Sequence, residues 1–95
     1  MTERILTLHP DPEKSGVTID QEKYEVIKAA ILTVLGTAPE VRFSDLPGAV
    51  RSVVGEDFPG SVSWYVITVK LDMEARGEIE RVPGKKPQHL RLKER

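Results

Sequence analysis

The chain of 95 residues contains no cysteine. This absence excludes disulfide bonds, thiolate nucleophiles and cysteine-rich zinc modules, and it fits the reducing cytoplasm in which we expect the protein. Long apolar runs are also missing, because residues 29–35 are interrupted by Thr33 and a membrane span needs about 20 residues. Residues 1–20 contain acids and prolines where a signal peptide has its apolar region. We therefore expect neither a membrane segment nor a secretion signal.

The sequence also lacks the usual signatures of an enzyme. It has no glycine-rich phosphate loop and no Gly-x-Ser-x-Gly motif. Its two histidines, His9 and His89, have no partner histidine at metal-ligand spacing. Asp72 and Glu74 lie about 200° apart on a predicted helix and cannot converge, so we interpret both as solvated charges. These observations predict no enzyme activity, no cofactor, no metal and no small-molecule substrate.

What the chain does contain is enough for one small domain. Hydrophobic residues make up 39% and charged residues 31% of the sequence. A domain of this size buries about 60–65% of the surface of its unfolded chain, which allows one core and little room for an enclosed cavity.

Charge is distributed unevenly along the chain. Residues 1–80 carry 8 basic and 14 acidic side chains, net −6, whereas residues 81–95 carry 6 basic and 1 acidic, net +5. A basic end on an acidic body is one arrangement for contacting a polyanion, and a solvated tail is the alternative.

Three helices are predicted by apolar residues that recur at helical spacing between capping and stopping residues. Asp20 and Ser61 are candidate N-caps. Gly36, Gly55 and Gly77 are candidate stops. The predicted helices cover residues 20–35, 45–54 and 61–76.

Short β segments complete the pattern. Residues 41–43 form a brief β-prone piece, and alternation around a Pro-Gly-Lys-Lys-Pro turn predicts a β-hairpin over residues 79–92. We divide the chain into an N-terminal arm at residues 1–19, a folded domain at residues 20–92 and a basic C-terminal end at residues 93–95.

The order of helix, short strand, helix, turn, helix and hairpin resembles the winged helix-turn-helix domain. Residues 61–81, which end in Ala-Arg-Gly-Glu-Ile-Glu-Arg, are similar to the recognition helix and first wing strand of bacterial winged-helix regulators. The Ser-Trp-Tyr stretch at residues 63–65 and the Glu-Arg-Val-Pro-Gly stretch at residues 80–84 also resemble a group of short bacterial winged-helix proteins of unknown function. The resemblance implies a mainly α fold with a small β-hairpin wing, that is, three helices plus a two- to three-stranded antiparallel sheet. It implies double-stranded DNA as the default partner.

The third helix is unusual for a helix that reads bases. Its core stripe is Val62, Val66, Val69 and Met73, and the resemblance implies that the opposite side enters the major groove. That side carries an apolar stripe, whose members are Trp64, Ile67 and Leu71. Polar groups near a groove are limited to Ser61, Ser63, Thr68 and Lys70. We expect the apolar stripe to be covered by the hairpin, by residues 1–19 or by a second copy of the chain.

The predicted hairpin carries the strongest signal for a polyanion. Lys85 and Lys86 lie at its tip, and alternation puts His89 and Arg91 on one face of its second strand. Two functions stay open. One is a DNA-binding module with a basic wing on the phosphate backbone and weak sequence readout. The other is a protein-interaction or homodimerisation module that uses Trp64, Ile67 and Leu71 and binds no DNA.

Overall fold

The computed structural model describes residues 3–93, which form three helices and two small antiparallel sheets. Residues 1–2 of the predicted arm and residues 94–95 of the predicted basic end lie outside the described residues. A short 3-10 helix, Phe43–Asp45, leads directly into the second α-helix. In chain order the elements are β1 (Arg4–Leu6), β2 (Thr18–Asp20), α1 (Gln21–Gly36), β3 (Val41–Arg42), α2 (Leu46–Val54), α3 (Val62–Ala75), β4 (Ile79–Arg81) and β5 (His89–Leu92).

The helices begin where the capping residues predict. The Asp20 carboxylate accepts a hydrogen bond from the backbone N–H of Lys23 at 3.2 Å, and the Ser61 hydroxyl accepts one from Trp64 N–H at 3.2 Å. These bonds satisfy backbone donors that have no partner inside the helix. All three helices agree with the predicted ranges to within one residue at each end. Gly36, expected just beyond the first helix, is instead its last residue, and Thr37 is the C-cap.

The predicted hairpin is confirmed as part of a three-stranded sheet. Strands β4 and β5 pair antiparallel with Ile79 opposite Leu92 and Arg81 opposite Leu90. Strand β3 pairs with the other edge of β5, so the strand order is β3-β5-β4. This arrangement ties the connection between α1 and α2 to the segment that follows α3.

The N-terminal segment is a paired sheet where the sequence predicted an extended arm. Strands β1 and β2 pair antiparallel, with Ile5 opposite Ile19. The loop between them is held by Thr7, whose backbone N–H and hydroxyl both donate to the carbonyl of Val17 at 2.8 Å. Ile19 is buried in the main core and Ile5 packs against it.

The core lies between the three helices and the inner side of the three-stranded sheet. Each large aliphatic side chain buried there contributes about 1.5–3 kcal/mol to stability. The fully buried apolar side chains of this core are Ile27, Ile31, Leu46, Val50, Val66, Val69, Met73, Ile79 and Leu90. Within residues 3–93, no helix is long and apolar enough to span a bilayer.

Candidate interaction face on α3 and the basic hairpin

Helix α3 has a buried side and an outer side. Val62, Val66, Val69 and Met73 are buried, which confirms the predicted core stripe. Trp64 and Ile67, on the opposite side, remain 46% and 45% exposed. Ser61 and Ser63 are exposed beside them, whereas Thr68 and Leu71 are half-buried. We call the exposed set of Ser61, Ser63, Trp64 and Ile67 the outer face of α3.

Aromatic rings extend this surface toward the turn that precedes α3. The ring of Trp64 meets Tyr65 edge to face with centroids 5.0 Å apart, and Tyr65 meets Phe58 in the same way at 5.4 Å. The ammonium of Lys23 lies 5.8 Å from the centroid of Tyr65. Such pairs fix the orientation of the rings and contribute about 0.5–1.5 kcal/mol each. Trp64 is therefore held in a defined position although nearly half of it faces solvent.

Of the apolar stripe, only its C-terminal member, Leu71, is half-buried. The backbone N–H of Leu8 donates to the Asp72 carboxylate at 2.8 Å, which brings the β1–β2 loop to the end of α3. His9 and Asp11 of this loop line a cleft of about 570 Å³ together with Glu74 and Arg81. The imidazole of His9 accepts a hydrogen bond from Asp11 N–H at 3.0 Å. Within residues 3–93, the expected intramolecular cover does not extend to Trp64.

Lys70, which was predicted to present a polar group near a groove, is instead buried. Its side chain is only 4% exposed, and its ammonium bonds the Glu74 carboxylate at 2.9 Å. The ammonium also lies 4.7 Å from the ring centroid of Phe43. Burial lowers the pKa of Lys70, and the hydrogen bond to Glu74 acts in the opposite direction. Lys70 is turned inward and cannot present its charge to a nucleic acid; its i, i+4 spacing from Glu74 is the sequence signal for this pair.

The interpretation of Asp72 as a solvated charge is wrong. It is fully buried and accepts hydrogen bonds from the Tyr24 hydroxyl, from Leu8 N–H and from the Arg76 guanidinium at 2.9 Å. Burial raises the pKa of Tyr24, and the hydrogen bond to Asp72 raises it further. The same carboxylate raises the pKa of Arg76 through its hydrogen bond. Glu74 is likewise not solvated, because it is nearly buried between Lys70 and Arg81. The sequence missed this network because two of its donors, Tyr24 and Leu8, come from distant segments, and the i, i+4 spacing of Arg76 was the only local signal.

The hairpin carries less free positive charge than the sequence suggests. The ammonium of Lys85 bonds the Glu40 carboxylate at 2.7 Å, and the Arg91 guanidinium bonds Glu80 at 2.6 Å. The hydrogen bond from Lys85 lowers the pKa of Glu40. The ring Nδ1 of His89 lies 2.7 Å from the carbonyl of Pro87. Lys86 is exposed and forms no ion pair within residues 3–93.

Chemistry at a metal centre would need ligands that converge. Among residues 3–93, no group of three or more histidine, aspartate or glutamate side chains could hold a metal ion. The two surfaces described above are an uncharged helical face and a basic hairpin tip.

The comparisons with known proteins identify a family. A family model described as a family of unknown function, DUF6958, matches residues 4–90. No curated protein and no solved structure matches the chain. The match spans both sheets and all three helices almost completely. The chain therefore belongs to DUF6958.

Proposed function

We propose that the protein is a winged-helix module that binds another polypeptide through the outer face of α3. The winged-helix assignment is supported by the order α1, β3, α2, α3 and the β4–β5 hairpin, together with the position of β5 between β3 and β4. In this layout the side of the third helix that faces away from the core is the usual contact surface. The chemistry of that side therefore decides what the module binds.

The observation that carries the proposal is the exposure of Trp64 and Ile67 at the centre of this side. Tryptophan is enriched at protein interfaces because its large ring buries apolar area and loses little conformational entropy. Trp64 is already oriented by Tyr65 before any partner arrives. A preordered aromatic residue lowers the cost of association.

Base readout has little support on the same face. Bases are recognised by side chains with paired donors and acceptors, above all arginine, lysine, asparagine and glutamine. The outer face has none of these, and Lys70 is buried against Glu74. The hydroxyls of Ser61 and Ser63 are short, and Ser61 already caps the helix.

A second candidate function is electrostatic contact of the hairpin with a nucleic-acid backbone. The observation in its favour is Lys86, which is exposed at the tip beside Lys85. Exposed ion pairs contribute about 0–1 kcal/mol, so Lys85 can leave Glu40 for a phosphate at little cost. Binding of this kind carries no sequence preference, and its dissociation constant is on the order of 10⁻⁴ to 10⁻⁶ M at physiological salt.

Site-specific photo-crosslinking tests the proposed function directly. A photoreactive amino acid replaces Ile67 in the full chain, with the same replacement at Val53, an equally exposed residue on α2, as the control. After irradiation in cells, mass spectrometry identifies what is attached. We expect a defined polypeptide adduct at position 67 and none at position 53. Attachment to nucleic acid alone, or no adduct above the control, would contradict the proposal.

A further inference from the structure

We infer that the cleft between the β1–β2 loop and strand β4 binds the dianionic phosphate group of a small phosphate monoester. The cleft has a volume of about 570 Å³, which lies within the range of small-molecule sites. It is at the base of the β4–β5 hairpin, whereas Lys85 and Lys86 lie at the tip. The inference therefore concerns a third surface and does not depend on the outer face of α3.

Three basic side chains from separate segments line the cleft. Lys14 lies in the β1–β2 loop, Arg81 ends β4, and Lys93 follows β5. All three are exposed, and Lys14 and Lys93 form no ion pair within residues 3–93. Arg81 bonds Glu74 through its Nε at 3.4 Å, and its side chain is 56% exposed. The two terminal nitrogens of this guanidinium can therefore donate to the oxygens of a ligand.

The acidic side chains of the cleft wall are largely compensated by cations behind it. Glu74 accepts the ammonium of the buried Lys70 at 2.9 Å, and Glu80 accepts the Arg91 guanidinium at 2.6 Å. Neither Lys70 nor Arg91 lines the cleft. Among the described residues, Asp11 is the one acidic side chain of the wall without a bonded cation. Three cations thus face one uncompensated carboxylate, which leaves a positive charge of two for a ligand to neutralise.

The loop that forms one wall is held in place before any ligand binds. It begins at the hydrogen bond to the buried Asp72. Further along, Lys14 N–H donates to the Asp11 carbonyl, and the Asp11 carboxylate accepts Glu13 N–H, both at 3.0 Å. Prolines at positions 10 and 12 restrict the backbone between these bonds. A preordered wall lowers the entropic cost of binding.

His9 and Lys93 add donors at defined positions. The Nδ1 of His9 accepts Asp11 N–H, so the proton of the neutral imidazole is on Nε2, which can donate to a ligand oxygen. On the wall formed by the sheet, the Lys93 backbone N–H bonds the Glu78 carbonyl at 3.3 Å. The Lys93 ammonium lies above Gly77, 3.8 Å from the position that a Cβ atom would take there. Both residues are therefore anchored beside the cleft through their own hydrogen bonds.

The charge of the cleft selects among anions. A phosphate monoester carries about −1.5 to −2 charges at pH 7 and three terminal oxygens, so Lys14, Arg81 and Lys93 can each bond one of them. A diester of a nucleic-acid backbone carries a single charge and has two free oxygens, which leaves one cation without a partner. The cleft therefore fits a monoester better than a DNA or RNA strand.

Nuclear magnetic resonance titration of the ¹⁵N-labelled full chain with glycerol 3-phosphate, at constant ionic strength, tests the inference. We expect saturable shifts of the Lys14, Arg81 and Lys93 amides with a dissociation constant of about 0.1–10 mM. Arg81→Gln should weaken binding at least fivefold. Arg51→Gln is the matched control, because Arg51 is an exposed arginine on α2 that does not line the cleft. We expect it to bind like the wild type.

Two further ligands identify the chemical class. Dimethyl phosphate, a diester with one charge, should bind at least tenfold more weakly than glycerol 3-phosphate. Equal affinities for the two, or no saturable shift up to about 50 mM, would overturn the inference. A phosphoserine peptide that binds more than tenfold tighter than glycerol 3-phosphate would also overturn it, because the ligand is then a modified polypeptide.

Lys14→Gln guards against a loss of folding in Arg81→Gln. Lys14 is exposed in the loop and forms no ion pair within residues 3–93, so its replacement should leave the dispersion of the spectrum intact and weaken binding at least threefold. Wild-type affinity in a folded Lys14→Gln or Arg81→Gln chain refutes the site. Either failure leaves the proposed function standing, since the photo-crosslink at position 67 probes a different surface.

Discussion

Asp72 is the side chain on which the most contacts converge. Its carboxylate is fully buried and accepts hydrogen bonds from α1, from the β1–β2 loop and from the last turn of α3. A buried carboxylate is tolerated only when its oxygens have partners and its charge is compensated. Here the guanidinium of Arg76 provides the charge, and Tyr24 and Leu8 provide neutral donors.

Removing the Asp72 carboxylate should therefore be costly. In Asp72→Ala the Tyr24 hydroxyl and the Leu8 N–H lose their acceptor, and Arg76 loses its counterion. Because the Arg76 side chain is 38% exposed and water can solvate it, we expect a loss of about 2–4 kcal/mol in the free energy of unfolding. Asp72→Asn keeps one acceptor oxygen and should lose about half as much. Urea denaturation measures both, with exposed Glu13→Gln as the control; a loss below about 1 kcal/mol for Asp72→Ala would contradict this account.

The raised pKa of Tyr24 leads to a separate prediction about the stability of the protein at alkaline pH. Its pKa is raised in the folded protein, so the folded state holds the phenolic proton more tightly than the unfolded chain, whose tyrosine titrates near 10. The stabilisation by neutral Tyr24 is thus fully present below pH 10 and is lost as pH rises above it.

The test compares the wild type with Tyr24→Phe in urea at pH 8 and at pH 11.5. At pH 8 we expect the variant to be less stable by about 1 kcal/mol, because the hydrogen bond to Asp72 is absent. At pH 11.5 the difference should narrow or reverse, because only the wild type has a phenol at position 24 to ionise. A difference that is the same at both pH values would refute the role of Tyr24.

At the scale of single residues, the sequence could not predict how deeply the side chains of Lys70 and Asp72 are buried. Helical spacing gave the angles of Lys70 and Asp72 around α3, and an angle near the edge of the core fits either an exposed or a buried charge. Lys70 is buried against Phe43, and Asp72 is buried against Tyr24 and Leu8. These contacts depend on the tertiary fold. Helical spacing did place Trp64 and Ile67 opposite the core stripe, whereas the intramolecular cover that was one of the expectations for them is absent within residues 3–93.

At the scale of elements, local signals were sufficient for the three helices and the hairpin. Caps and stops located all three helices, and alternation located the hairpin, because these features depend on neighbours within a few residues. The β1–β2 sheet was missed because its two strands are only three residues each and are separated by a long loop. A proline-rich, charged loop of this kind has the composition of a linker.

The N-cap of α3 is the first prediction for an element. Ser61→Ala removes the acceptor for Trp64 N–H and should lower the free energy of unfolding by about 1 kcal/mol. Ser63→Ala is the matched control, because Ser63 is exposed inside the helix and alanine is the better helix former. Thermal and urea unfolding should show a loss for the first variant alone; equal behaviour of the two would exclude the capping role.

The β1–β2 loop gives the second prediction for an element. A Cβ atom at Gly16 would lie 1.8 Å from the backbone carbonyl oxygen of Thr7, so the loop must move to accept any side chain. We expect Gly16→Ala to destabilise the protein by about 1–3 kcal/mol. Gly36→Ala, where a Cβ meets nothing within 4 Å, should be neutral or stabilising. Equal unfolding midpoints for the two variants would show that the loop is not closely packed.

On the scale of the whole molecule, the distribution of charge governs any contact with nucleic acid. The acidic body opposes the approach of DNA, and the hairpin favours it only where its cations are free. Each phosphate contact changes the slope of log affinity against log salt by about 0.9.

The double variant Lys85→Ala/Lys86→Ala should therefore reduce that slope by up to about 1.8, with equal losses on every duplex tested. Fluorescence anisotropy at several salt concentrations measures the slope, and Trp64→Ala is the control that should leave it unchanged. Tight, sequence-selective binding that survives the double variant would mean that α3 reads bases. No binding at low salt would remove the second candidate function.

The link between Leu8 and Asp72 also has a consequence for how the native state opens. It joins positions 64 residues apart, whereas successive helices meet over shorter separations, so its closure costs more chain entropy. We expect the β1–β2 sheet to detach as a unit before the helices unfold, and its amide hydrogens to exchange with solvent faster than those of α1. In that partly open state Asp72 loses the Leu8 N–H and keeps only the Tyr24 hydroxyl and the Arg76 guanidinium among these partners. The stability of one small sheet then sets how often water reaches the buried carboxylate at the end of α3.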